Sequence, residues 1–292
     1  MLVTLPVYDK TAENEMVNPK CELHLWLTDN THIVDIGPVS REGENVAASS
    51  LLYKSGNNEE KLISLYEKGN EETQSPGMVS IRLTEQLERV RKVLKTWQEV
   101  DERVSKLCTP SSAKEDVSPE NACGADFNIT AGLVGFLSGN LSENTWKDEY
   151  LGVNATVKGI VENKRTATAA TGPSDGVTFQ GAWAEWPVGA QGENQLYHFA
   201  NYNFTLVATV SLDGVPEGDT HIPLMGVNVT MNEGTNTVLV GLSYNNNEKK
   251  WQLLCGDENN KVLSSPLEPD TTDHVVILLR NGNQTSAYVD GQ

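Results

Sequence analysis

The sequence predicts a mainly β protein in which one long α-helix separates two β sections. Short apolar or alternating runs, punctuated by Gly, Pro and Asn clusters, fill residues 1–83 and return from about Phe127. Between them the period changes to three and four residues from Leu87 to Leu107. With 292 residues and 38% hydrophobic content, the chain is long enough for two domains and too apolar to be disordered.

In the first section the candidate strands are Leu2–Tyr8, Leu23–Thr28, His32–Ile36, Ser50–Tyr53, Lys61–Glu67 and Met78–Leu83. Turn signals separate them, notably Gly37-Pro38, Ser55-Gly56-Asn57-Asn58 and Ser75-Pro76-Gly77. Strands in such close succession suit propeller blades, but there are too few here to close a propeller. Unpaired strand edges would then be left open, and the chain expressed alone is expected to aggregate.

The helix is placed at residues 84–108. Leu87, Val90, Leu94, Trp97, Val100, Val104 and Leu107 form its apolar stripe, and Thr84 is the candidate N-cap, with Glu85 and Glu88 following. Arg89, Arg91, Lys92, Lys95, Glu99, Asp101 and Glu102 form the solvated face. Packing between two β sections explains the stripe without a coiled-coil partner.

Residues 109–126 form a linker in which Cys108 and Cys123 flank a Pro/Ser-rich loop, as a disulfide staple would. Closing that loop would contribute about 3 kcal/mol in the chain-entropy account. Cys21 and Cys255 lie in different sections and are not paired; Cys255, in an apolar run, is expected to be a core thiol. In residues 127–292 the strand candidates are Phe204–Ser211, Thr237–Tyr244, Lys250–Leu254, Val275–Arg280 and Thr285–Val289, with Asn281-Gly282 marking a hairpin. Trp183 and Trp186 flank Glu185. They are candidate glycan contacts, since aromatic faces suit sugar rings, against the plainer reading of two packed aromatics.

The formal net charge of −18 argues against nucleic acid, whose binding depends on cationic contacts to phosphate, and against anionic lipid surfaces. No apolar run approaches the length of a membrane helix. N-x-[ST] sequons stand at Asn128, Asn140, Asn154, Asn203, Asn228 and Asn283, all beyond the first 120 residues. That clustering points to an extracellular or cell-surface glycoprotein. No metal-ligand spacing, P-loop or dinucleotide fingerprint is present, the five histidines are scattered, and no cofactor is expected.

Several long runs carry a resemblance. They include Leu23-His24-Leu25-Trp26-Leu27-Thr28-Asp29-Asn30, Asn45-Val46-Ala47-Ala48-Ser49-Ser50-Leu51-Leu52-Tyr53 and Leu62-Ile63-Ser64-Leu65-Tyr66-Glu67. Further along are Leu83-Thr84-Glu85-Gln86-Leu87-Glu88-Arg89, Gly132-Leu133-Val134-Gly135-Phe136-Leu137-Ser138, Tyr197-His198-Phe199-Ala200-Asn201 and Phe204-Thr205-Leu206-Val207-Ala208. Together these resemble the trypanosomatid trans-sialidase superfamily over nearly the whole chain. The resemblance implies that residues 1–83 are the C-terminal part of a six-bladed sialidase β-propeller. It implies that residues 127–292 are a concanavalin-like (laminin-G-like) jelly-roll sandwich truncated at its C-terminus.

It also implies the chemistry. Active members use a tyrosine nucleophile, an exception to the two-carboxylate scheme of glycosidases. A neutral tyrosine activated by a glutamate avoids repelling the substrate carboxylate, which three arginines grip, and an aspartate serves as acid/base. The tyrosine matches Ala48, the best match for the glutamate is Glu67, and the third arginine falls at Lys20. Lysine keeps the charge but not the planar bidentate fork. The other two arginines and the aspartate are expected upstream of Met1. The resemblance is thus to the inactive, surface-glycoprotein branch. It implies adhesion to host-cell or extracellular-matrix ligands, sialoglycans among the candidates, with membrane attachment only through a lipid anchor not present in this chain. The alternatives are retained exo-α-sialidase or trans-sialidase activity, and a non-catalytic glycan-binding lectin.

Overall fold

The computed structural model of the chain describes residues 1–8, 21–42, 44–56, 59–69, 77–107, 130–159, 166–169, 175–190, 194–212, 221–230, 236–248, 250–255, 261–266, 273–282 and 284–290. Lys20, Cys108, Cys123, Asn128 and Asn283 lie outside them, as do linker residues 109–126 and the side chains of Leu107 and Cys255. The chain forms two compact units, Met1–Tyr197 and His198–Gln292.

The first unit begins with β1 (Leu2–Tyr8), β2 (Cys21–Thr28) and β3 (Ile33–Pro38), an antiparallel sheet in that order. β4 (Val46–Gly56), β5 (Glu59–Lys68) and β6 (Gly77–Arg82) form a second three-stranded sheet. The strands expected at Ser50–Tyr53 and Lys61–Glu67 therefore extend at both ends, because the two pair along almost their full length. Cys21 is buried as a free thiol at the start of β2, and that burial raises its pKa.

α1 (Thr84–Leu107) follows β6 directly. Thr84 is its first helical residue rather than its cap: the Leu83 carbonyl already accepts the Leu87 N–H at 3.1 Å. The buried stripe is Leu87, Val90, Val93, Trp97, Val100 and Val104. Leu94 is 42% exposed, which corrects the expected stripe. At 3.6 residues per turn Val93 lies nearer the centre of the stripe set by Val90, Trp97, Val100 and Val104. The stripe shares one core with Leu23, Leu25, Leu27, Val34, Ile36, Leu62, Tyr66 and Tyr150. Trp97 Nε1 donates to the Tyr150 carbonyl at 2.8 Å, and the Tyr150 hydroxyl donates to Asp101 Oδ1 at 2.7 Å. His32 stacks on Tyr150 with ring centroids 4.2 Å apart.

Six short strands complete the first unit: β7 (Leu137–Ser142), β8 (Thr145–Asp148), β9 (Ala155–Lys158), β10 (Thr166–Ala169), β11 (Val177–Gln180) and β12 (Trp183–Glu185). They pair as β12-β9-β8-β7 and β10-β11. Asp148 is almost fully buried and accepts backbone N–H groups from Phe136, Gly152 and Val153 at 2.8, 2.9 and 3.0 Å, fixing the chain between β8 and β9.

The second unit contains β13 (Phe204–Val210), β14 (His221–Thr230), β15 (Asn236–Asn245), β16 (Lys250–Cys255), β17 (Lys261–Pro266), β18 (His274–Asn281) and β19 (Gln284–Val289). They form the sheets β13-β18-β19 and β14-β15-β16-β17. Val240, Leu242, Tyr244, Trp251, Val276 and Leu278 are central to its core. The expected hairpin joins β18 to β19, and Gly282 there has φ of 59°, a left-handed conformation that suits glycine.

Candidate functional site

β4 and β5 pair Val46 with Lys68 and Ser49 with Tyr66, so Ala47 and Ala48 together oppose Glu67 across a β-bulge. The structure thus brings together two of the residues singled out from the sequence. Ala48 is exposed and Glu67 half-buried. Beyond the bulge Ser50 pairs with Leu65, so the alternation of each strand puts Ala48 and Glu67 on the same face of the sheet. A methyl group there offers neither nucleophile nor acid. Beside it, Ser49 Oγ and Thr4 Oγ1 share a hydrogen bond of 2.8 Å.

Beneath the bulge lies a polar knot that the sequence reading missed. Buried Glu44 accepts from the Tyr66 hydroxyl at 2.7 Å, Lys68 Nζ at 3.0 Å and the Arg41 amide at 3.2 Å. Burial alone would raise the carboxyl's pKa. The donors outweigh it and hold Glu44 below its usual value. Burial and the hydroxyl's bond to Glu44 push Tyr66 up to about 12, and its side chain is packed in the core on the face opposite Ala48, only 1% exposed. No local motif announces the knot, since Glu44 and Tyr66 meet only when β4 and β5 pair.

The two tryptophans separate. Trp186 is half-buried and its Nε1 donates to the Val153 carbonyl at 2.8 Å. Trp183 is 46% exposed on β12, and its Nε1 donates to Glu185 Oε1 at 2.6 Å. Lys158 Nζ pairs with Glu185 Oε2 at 2.6 Å. These two donors, Lys158 first, hold the Glu185 carboxyl below its usual range.

Among the described sequons, Asn140, Asn203 and Asn228 are exposed. Asn154 is half-buried and its Oδ1 accepts the Asp148 amide at 2.8 Å. Among the described residues no helix is long and apolar enough to cross a membrane, and no group of three or more His, Cys, Asp or Glu could hold a metal ion.

The sequence model described as the trans-sialidase C-terminal domain matches residues 129–292, and that of a BNR repeat-like domain matches residues 1–67. The chain belongs to the trans-sialidase superfamily. Superfamily relatives include Sialidase 85-1.1 of Trypanosoma cruzi, 32% identical over 285 residues, covering 96% of this chain and 32% of that protein. The solved structure of Trypanosoma rangeli sialidase in complex with the inhibitor DANA is 37% identical, with a TM-score of 0.74 over 93% of this chain and 39% of that one. A mutant of the same sialidase displaying trans-sialidase activity aligns with a TM-score of 0.75 and 37% identity, over 93% of this chain and 38% of that one. The fold is accordingly sialidase-like and mainly β, and the chain spans roughly a third of the length of these superfamily relatives.

Proposed function

We propose that this chain is part of a cell-surface glycoprotein of the trans-sialidase superfamily that no longer turns over sialosides and acts in adhesion to host-cell or matrix ligands. In this reading residues 1–83 are the last part of a six-bladed propeller and residues 127–292 a jelly-roll sandwich. Supporting both are the BNR match at residues 1–67, the C-terminal-domain match at residues 129–292 and the sialidase likeness.

One observation carries the proposal of inactivity. The position matching the superfamily's tyrosine nucleophile holds the exposed methyl of Ala48, across the bulge from Glu67. The carboxylate is retained without a hydroxyphenyl group to activate. Losing a nucleophile costs orders of magnitude in rate, because the members of such a unit act together. Adhesion is supported more indirectly, by exposed sequons at Asn140, Asn203 and Asn228.

The test is hydrolysis of a fluorogenic sialoside by the full-length gene product, with lactose as acceptor in a parallel transfer assay. No turnover above a buffer blank is expected in either. Turnover that Glu67→Ala abolishes would overturn the proposal and favour the exo-α-sialidase or trans-sialidase alternative.

A further inference from the structure

On the outer face of the β7–β9 and β12 sheet, strand alternation turns Trp183 and Glu185 of β12 to the same side as Thr156 and Lys158 of β9. The paired positions are Trp183 with Lys158 and Glu185 with Thr156. The inner face carries Ala155 and Val157, both buried. Thr156 and Lys158 are exposed, so Trp183 is a large aromatic ring on an otherwise polar, solvated surface.

A tryptophan 46% exposed at a sheet edge would ordinarily be free to swing between rotamers. This one is held from two directions. Its indole N–H is fixed on Glu185, which Lys158 fixes in turn. Its benzo edge lies against Gly159, which has φ of 79° and where an added Cβ would fall 2.3 Å from Trp183 Cζ3. Glycine at that position therefore lets the ring settle on the backbone. The result is an aromatic ring held at its edge and its N–H, 46% exposed and bordered by an amine, a carboxylate and a hydroxyl. Ordering entropy that a mobile ring would lose on binding is already lost here. Trp186 does not share the platform, since its N–H is spent on the Val153 carbonyl.

We propose that Trp183, Glu185, Lys158 and Thr156 form a binding site for a neutral hexopyranose ring of a glycan. The C–H face of the sugar stacks on the indole, and its hydroxyls bond the polar rim. A neutral ring is favoured because Lys158 and Glu185 balance each other, leaving no uncompensated cation for a sugar acid. The net charge of −18 also repels anionic ligands. Sugar capture here deepens the adhesive role by naming a ligand class. It requires no residue of β4 or β5, so it stands whether or not the Ala48 site is silent.

The experiment is saturation-transfer NMR and titration of the full-length gene product with lactose, and separately with sialyllactose. Lactose is expected to bind, Trp183→Ala to weaken it by roughly tenfold, and Trp183→Phe, which keeps a stacking ring, to weaken it less. Circular dichroism of each variant verifies that the fold survives. In a chain where the obvious variant does not fold, Lys158→Met supplies the second reading: it frees Glu185 and should also weaken binding. Absence of lactose binding, equal binding by folded Trp183→Ala, or Trp183-dependent binding of sialyllactose tighter than that of lactose would each overturn the proposal. None of those results bears on sialoside turnover, which tests the catalytic reading by itself.

Discussion

Glu44 shows how a single residue ties the first unit's stability to pH. Its donors from Tyr66, Lys68 and the Arg41 amide hold the folded carboxyl below the 4.5 expected of an unperturbed glutamate. A depressed folded value means that the unfolded chain binds the proton first. The contribution is therefore complete above the unfolded value and disappears as pH falls through 4.5 toward the folded one. Glu44→Gln keeps an acceptor for Tyr66 but no charge. Its melting temperature is expected to lie below that of the parent at neutral pH, with the gap narrowing as pH falls below 4.5. Thermal melts of both proteins across that range check it, and a gap that stays constant would count against the charged role. At the same scale Tyr66→Phe removes one buried donor and is expected to cost about 1–2 kcal/mol in a denaturant titration at neutral pH.

Among the elements, α1 gives the sharpest test because two adjacent apolar residues have opposite fates. Val93 is 4% exposed and Leu94 42% exposed. Val93→Ala is expected to destabilise by about 2 kcal/mol, while Leu94→Gln stays within about 0.5 kcal/mol. Urea titration of the pair decides whether the stripe runs through Val93, and the reverse order would restore the stripe read from spacing. That spacing allowed both registers, since Leu94 also lies four residues from Val90 and three from Trp97. The strands of residues 1–83 were legible because each carries several β-branched or aliphatic residues between strong turn signals. β7 to β12 were not: strands such as Thr166–Ala169 and Trp183–Glu185 are short, polar and held mainly by their partners. The bulge at Ala47–Ala48 was equally hidden. It contains no glycine and exists only through pairing with residues about twenty positions away. Trp183 and Trp186 look alike in sequence, and what separates them is the reach of the partner: Trp186 bonds the Val153 carbonyl, 33 residues away, whereas Trp183 bonds Glu185, two residues along its own strand.

For the molecule as a whole, the outer face of the β4–β5–β6 sheet has the greatest bearing on behaviour. Register places Leu52 opposite Ile63, Ser50 opposite Leu65, and Glu67 opposite Met78, so all these side chains share the face that carries Ala48. Leu52 is 61%, Leu65 42% and Met78 65% exposed there. These exposed apolar side chains are interleaved with Ser50, Ser80, Glu67 and Arg82, and β4 and β6, as the outer strands of the sheet, add backbone groups able to pair with another chain. Both features favour association of the chain with copies of itself. When expressed alone it is expected to elute from size exclusion as oligomers at micromolar concentration. Leu52→Lys with Leu65→Lys should raise the monomer fraction, since charge on that face opposes sheet stacking and edge pairing together. Neither substitution touches the buried core built on Leu62, Tyr66 and α1, so secondary structure by circular dichroism should persist in the double variant. A parent chain that is already monomeric and melts cooperatively, with elution unchanged by the two lysines, would show that the face is tolerated by water as it stands.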